Sequence, residues 1–250
     1  MALRKKTYID FRGYKPLVSF GDKGGTIGAT TTTESLGFGP NTLEMYIEET
    51  NADQTGTRLV DANCTNGFEV PLDNDDGDGI ELTQGILADA SAPYAFTIGT
   101  DGPFKFELKF GIPVVADMSI AVGFRTAAAY VADVANATAA TALTNIATAY
   151  TDKACFIVHA GDMHIYTSND NTDVATDISA SWVDDAVKTL TVKVSAAGAV
   201  TYEIDGTAVA DAVAFSFDST DVVVPFVRIS RVATGGDTPP ILNPWFCGLY

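Results

Sequence analysis

Thr189-Leu-Thr-Val-Lys-Val-Ser-Ala-Ala-Gly-Ala-Val-Thr-Tyr-Glu-Ile-Asp-Gly206 is the stretch from which the fold is read. Leu190, Val192 and Val194 alternate with Thr191, Lys193 and Ser195. Ala196-Ala197-Gly198 turns the chain, and Val200, Tyr202 and Ile204 then alternate with Thr201 and Glu203. A period of two places apolar groups on one face of an extended chain, so the stretch predicts an antiparallel hairpin that is greasy on one side and wet on the other. Asp205-Gly206 predicts a second tight turn, because both residues tolerate positive φ. An apolar sheet face needs a covering layer, which the rest of the chain must supply.

Working outward, Phe104, Phe106, Leu108 and Phe110 alternate with Lys105, Glu107 and Lys109, giving a second amphipathic strand. Four bulky groups on one face put this strand at the centre of the core, each contributing roughly 1.5–3 kcal/mol on burial. Further strands are predicted at 43–48, around 58–60, and at 80–82, 95–98, 119–125, 154–159, 163–167, 212–217 and 222–230, while 68–72 leads into a dense acidic loop. The last is apolar almost throughout, which fits a strand covered on both faces, while Pro225 within it argues for an edge or a bulge. Residues 168–177 are rich in Asn and Asp and read as a loop. Residues 126–150 lack Gly and Pro and are rich in Ala and Thr, predicting a short helical excursion centred on 139–150. The whole reads as an all-β, antiparallel jelly-roll sandwich. An N-terminal arm (1–40), a sandwich domain (41–237, with a sub-boundary near 79) and an aromatic, Pro-rich C-terminal tail (238–250) make up the chain.

The 250 residues are 46% hydrophobic and 19% charged, a globular ratio. Charge is unevenly spread: residues 1–23 carry a net +4 and the remainder −21. An acidic body repels nucleic acid and anionic membranes, so neither is an expected partner. No apolar run reaches the roughly 18 residues needed to cross a bilayer, and Cys64, Cys155 and Cys247 lie too far apart for a Cys-x-x-Cys site. The expectation is a chain made in a cytoplasm with its thiols reduced.

The stretch from about Gly79 to Ile229 resembles the concanavalin-like, laminin-G-type sandwich. The Leu190–Val194 strand, the Gly198 turn, the Val200–Ile204 strand and the Asp205-Gly206 corner carry the resemblance. The wider layout is similar to virion structural proteins of tailed bacteriophages. It comprises Phe104 to Phe110, Val122-Gly123-Phe124-Arg125, an Ala-rich excursion, Tyr150-Thr151-Asp152, His164 to Ser168 and Val224-Pro225-Phe226. That resemblance implies a capsid decoration or cement subunit, homo-oligomeric, bound to the major capsid protein or other virion subunits and located in a virion assembled in the host cytoplasm.

Docking contacts are expected from the two ends of the chain: Arg4, Lys5, Lys6, Tyr8, Phe11, Arg12 and Tyr14, with Trp245, Phe246 and Tyr250. The alternative is a carbohydrate-binding, lectin-like adhesion module with Trp182 as a sugar-stacking ring. Asp73, Asp75, Asp76 and Asp78 lie in the acidic run Asp73 to Gly79 and are candidate oxygen ligands for Ca2+. The twelfth position of an EF-hand aligned there is Gly85 instead of Glu, so the EF-hand match fails and the run reads more readily as a solvated acidic turn. His159 and His164 flank a turn without a third metal ligand. Glu203-Ile204-Asp205 lacks the second Glu of the Glu-x-Asp-x-x-Glu pattern seen in glucanases of this sandwich. Nucleophile-elbow, zinc-protease and phosphate-loop motifs are likewise missing from the sequence, and a non-enzymatic protein is expected.

Overall fold

The computed structural model describes residues 6–9, 17–19, 32–38, 41–48, 67–69, 79–84, 95–127, 150–170, 172–232 and 240–250. The strands follow in chain order as β1 (Lys6–Ile9), β2 (Leu17–Ser19), β3 (Thr32–Phe38), β4 (Asn41–Glu48), β5 (Phe68–Glu69) and β6 (Gly79–Thr83). β7 (Phe96–Thr97), β8 (Phe104–Gly111), β9 (Met118–Thr126), β10 (Lys153–His159), β11 (Asp162–Asn169) and β12 (Thr172–Ser181) come next. β13 (Val187–Val194), β14 (Val200–Ile204), β15 (Thr207–Ala208), β16 (Val222–Arg231) and β17 (Ile241–Leu249) complete them.

Two antiparallel sheets result. The seven-stranded one runs β1-β17-β8-β13-β14-β15, with β5 beside β17; the ten-stranded one runs β12-β11-β10-β9-β16-β6-β4-β3-β2, with β7 beside β16. The chain is an all-β jelly-roll sandwich. Among the described residues there is no α-helix; one 3-10 turn, Val115–Asp117, leads into β9. The predicted excursion over 126–150 lies outside the described residues except at its two ends.

The core lies between the sheets. Phe104, Phe106, Leu108 and Phe110 of β8 are buried, as are Leu190, Val192 and Val194 of β13, directly opposite them. They meet Met118, Ile120, Val122 and Phe124 of β9 and Ala154, Phe156 and Val158 of β10. Phe96 stacks on Phe104 with ring centres 4.3 Å apart, and Phe124 points its edge at Phe104 at 5.0 Å. Such edge-to-face pairs add roughly 0.5–1.5 kcal/mol beyond area burial.

Turns form where their residues permit. Asp205 (φ 50) and Gly206 (φ 78) make the expected two-residue corner, and Ala160 (φ 48) with Gly161 (φ 93) joins β10 to β11 in the same way.

Four expectations differ from the structure. Residues 168–177 are chiefly strand: β12 pairs with β11 through Asn169↔Thr172 and onward to Asp162↔Ser181. Only Ile178 of β12 is buried, so an edge strand held by backbone pairing has no apolar rhythm to announce it. Residues 212–217 make a single bridge, Ala199↔Ser216, because β15 already occupies the open side of β14. Pro225 lies in a central strand. Its carbonyl accepts the Thr83 hydroxyl at 2.7 Å, and its ring nitrogen shares that side, where neither β7 (opposite Val222–Val223) nor β6 (opposite Phe226–Ser230) has a paired residue. Finally, the segments expected as arm and tail contribute strands to the sheets: β1, β2 and β3 from the first forty residues, and β17 between β1 and β8.

Candidate functional site

Each sheet turns one face to the core and one outward, and the outward faces differ. On the ten-stranded sheet the register places Tyr46, Glu81, Arg228, Ala121, Ile157, His164 and Asp177 in one row. Two rows along on the same face, beyond that of Phe226, Gly123, Cys155 and Tyr166, the register reads Val224, Arg125, Lys153, Ser168 and Asp173. Much of this face is buried. Ala121, Tyr150, Cys155, Ile157, Tyr166 and Phe226 form a second apolar cluster on it.

Charged groups lie among them. Glu81, fully buried, accepts from Arg125 Nε through Oε1 at 2.8 Å, and through Oε2 from Tyr150 Oη at 2.7 Å and Arg228 Nη1 at 3.1 Å. The Arg125 guanidinium also sits 4.2 Å from the centre of the Tyr150 ring. Burial, with the Glu81 charge adding to it, holds the Tyr150 hydroxyl far above its ordinary pKa. Both Glu81 oxygens are engaged and Tyr150 is held protonated, so the cluster clasps Tyr150 to the sheet instead of offering a base. The chemistry of the sequence gives a signal for it: Glu81 between Ile80 and Leu82, and Arg228 between Val227 and Ile229, are charges inside apolar strands.

The outward face of the seven-stranded sheet is partly open: Thr191 at its centre is buried, while Glu107 and Glu203 on either side are partly exposed. Tyr8 of β1 is opposite Phe246 of β17, which is opposite Glu107 of β8, then Thr191 of β13 and Glu203 of β14. The adjacent row reads Lys6, Gly248, Lys105, Lys193 and Thr201. Tyr250 continues the alternation beyond Gly248, its N–H donating to Pro103 O at 3.1 Å. Tyr8 is 53% and Tyr250 58% exposed, with Phe246 half-buried between them. Along β17, Phe246 and Tyr250 stand about 13 Å apart, and Gly248 puts no side chain between them. Lys105 Nζ lies 5.0 Å from the Phe246 ring centre and 2.7 Å from Glu107 Oε2, while Lys193 pairs with Glu203 Oε1. Both carboxylates are held by lysines.

Of the residues expected to dock, Tyr8, Phe246 and Tyr250 are thus brought to one face, and Lys6 holds the register position opposite Gly248. Trp245 is not: it points inward, fully buried, with its ring 4.5 Å from Phe106 and its Nε1 donating to Gln84 Oε1 at 3.1 Å. Strand alternation separates it from its neighbour Phe246. Arg4, Lys5, Phe11, Arg12 and Tyr14 lie outside the described residues, as do Asp73, Asp75, Asp76 and Asp78. Trp182 is corrected from a sugar platform to a core residue: 2% exposed, it stacks on Phe110 at 4.5 Å and donates from Nε1 to Ala186 O at 3.0 Å. His159 and His164 share the outward face of the ten-stranded sheet but oppose Asp162 and Ile157, not each other. Among the described residues no three His, Cys, Asp or Glu side chains converge as metal ligands. Lys105, Glu107, Lys193 and Glu203 read in the sequence only as the wet side of two strands; that they adjoin Phe246 follows from β17 entering beside β8, which no local pattern shows.

No family model matches the chain, and no curated protein resembles it in sequence. Solved structures do resemble it. The carbohydrate recognition domain of Emp46p superposes with a TM-score of 0.50 at 8% identity, over 74% of this chain and 83% of that one. Its potassium-bound form gives the same TM-score at 9% identity, with the same coverage. A protein of unknown function from Shewanella oneidensis MR-1 reaches 0.47 at 9% identity over 98% and 86%. At such identities the likeness concerns architecture: the chain has the jelly-roll sandwich fold found in the Emp46p carbohydrate recognition domain.

Proposed function

We propose that the protein is a carbohydrate-binding, lectin-like module that seats its ligand on the outward face of the seven-stranded sheet. The observation that carries this reading is the strip of exposed Tyr8, half-buried Phe246 and exposed Tyr250 on an outward sheet face, flanked by Lys105 and Glu107. Apolar ring faces cover the C–H side of a sugar, and neighbouring polar groups meet its hydroxyls. The fold shared with a carbohydrate recognition domain supports the reading. In a glycan array followed by calorimetry, Tyr8→Ala, Phe246→Ala and Tyr250→Ala each lower affinity about threefold to tenfold, the range a stacked ring contributes. Trp182→Phe, a change confined to the core, leaves affinity unaltered. Equal binding by wild type and all three strip variants overturns the proposal.

A second reading, a subunit of a larger particle such as a virion, draws on the same exposed rings. It loses the C-terminal tail as a free arm, because β17 lies within the sheet. Native mass measurement separates the two: a docking subunit shifts to an oligomer that Tyr8→Ala disperses, while a glycan module keeps its mass and loses its ligand.

A further inference from the structure

The row beside the aromatic strip reads Lys6, Gly248, Lys105, Lys193 and Thr201 and holds no carboxylate. Lys105 and Lys193 are directly opposite on adjacent strands, where like charges repel and destabilise the pairing. Each draws on a carboxylate from the neighbouring row, Glu107 and Glu203. A lysine ammonium has three donors, so one such contact leaves others for a ligand. The chain as a whole carries −17, whereas here Lys105 and Lys193 balance Glu107 and Glu203, and positive charge is gathered in the lysine row. A ligand that places a negative group between these lysines relieves their repulsion, and a neutral one does not.

From this we infer that the glycan is acidic: its anionic substituent, a uronate carboxylate or a sulfate ester, lies between Lys105 and Lys193 while separate sugar units of the same glycan cover Phe246 and Tyr250. The inference rests on the carbohydrate-binding reading and adds the class of sugar. Lysine meets such groups as a point charge, so it accepts either anion. Binding weakens as salt rises, because the contact is exposed to solvent.

Calorimetry with three probes tests it: oligogalacturonate (carboxylated), dextran sulfate (sulfated) and cello-oligosaccharide (neutral). The expected result is that at least one acidic probe binds tenfold or more tighter than the neutral one. Lys105→Met and Lys193→Met each cut that affinity about fivefold or more, while thermal melting shows both variants folded. Whichever acidic probe binds identifies the anion. If the neutral probe binds as tightly and the lysine variants bind normally, while Phe246→Ala still loses binding, the inference falls and the carbohydrate reading stands. If no probe binds wild type, and the glycan array is empty too, both fall.

Discussion

The Glu81 carboxylate has the most to lose by substitution. It answers two buried guanidinium groups and a buried phenol, and removing one partner of a buried ion pair typically costs about 3–5 kcal/mol, because the remaining charge stays desolvated. Glu81→Ala is therefore expected to destabilise the fold by about that amount, read as a lowered urea midpoint, while Glu107→Ala on the exposed face changes it by less than about 1 kcal/mol. Buried thiols and phenols predict a second outcome. Burial pushes the Cys155 thiol up to about 12 from 9.0, with Lys153 pulling weakly the other way. The folded state then holds a proton that the unfolded chain releases at lower pH. This stability is complete below about pH 9 and is lost as pH rises towards 12. Tyr150, Tyr202 and Cys247 are shifted in the same direction by burial. Urea midpoints should thus fall between pH 9 and 11, and Cys155→Ala should make the fall shallower. A flat profile over that interval rejects this account. At this scale the sequence is only partly legible: Glu81 and Arg228 stand out as charges in apolar strands, yet nothing in either segment says that they meet.

Elements with an apolar rhythm are legible, and those held chiefly by backbone pairing are not. β8, β13 and β14 follow from alternation alone, since each has a covered and a wet face. β16 was expected to be covered on both faces, and it is: Val223, Val227 and Ile229 enter the main core, while Val224 and Phe226 belong to clusters on the outward side. β12 stays hidden because only Ile178 of its ten residues is buried and a sheet edge asks little of side chains. The turns carry a sharper constraint. Gly198 has φ +93, and a Cβ there would approach Phe217 O to 2.4 Å and Ile98 Cγ2 to 3.1 Å. Gly198→Ala meets both the left-handed backbone penalty, roughly 1–2 kcal/mol, and a clash with backbone. Its melting temperature should drop clearly, whereas Gly206→Ala, with nothing within 4 Å of the added methyl, pays the backbone penalty alone and drops less. Equal losses for the two would mean that contact with Phe217 is irrelevant.

The two ends of the chain meet in one sheet: β1 runs antiparallel to β17 from Lys6↔Gly248 to Ile9↔Trp245, and β17 in turn lies against β8. Neither end declares this locally, because four residues of β1 and a Pro-containing β17 look like loose segments until their partners are in place. Their pairing also creates the aromatic strip, since Tyr8 and Phe246 adjoin only across it. Removing residues 1–9 is therefore expected to do two things at once. It leaves the N–H and C=O groups of Cys247 and its neighbours on β17 without strand partners, an edge prone to pair with other chains. It also takes Tyr8 from the strip. The truncated chain should keep its core, because Trp245, Phe106 and their neighbours bury against strands that remain, so far-ultraviolet circular dichroism stays strand-like. It should melt earlier, associate at concentrations where the full chain does not, and bind glycan no better than Tyr8→Ala. Adding a synthetic peptide of residues 1–9 should reverse that added association by returning a strand to the edge. A truncated chain that melts and sediments like the full one would show that β1 contributes nothing to the sheet, and the strip would lose the contact that assembles it.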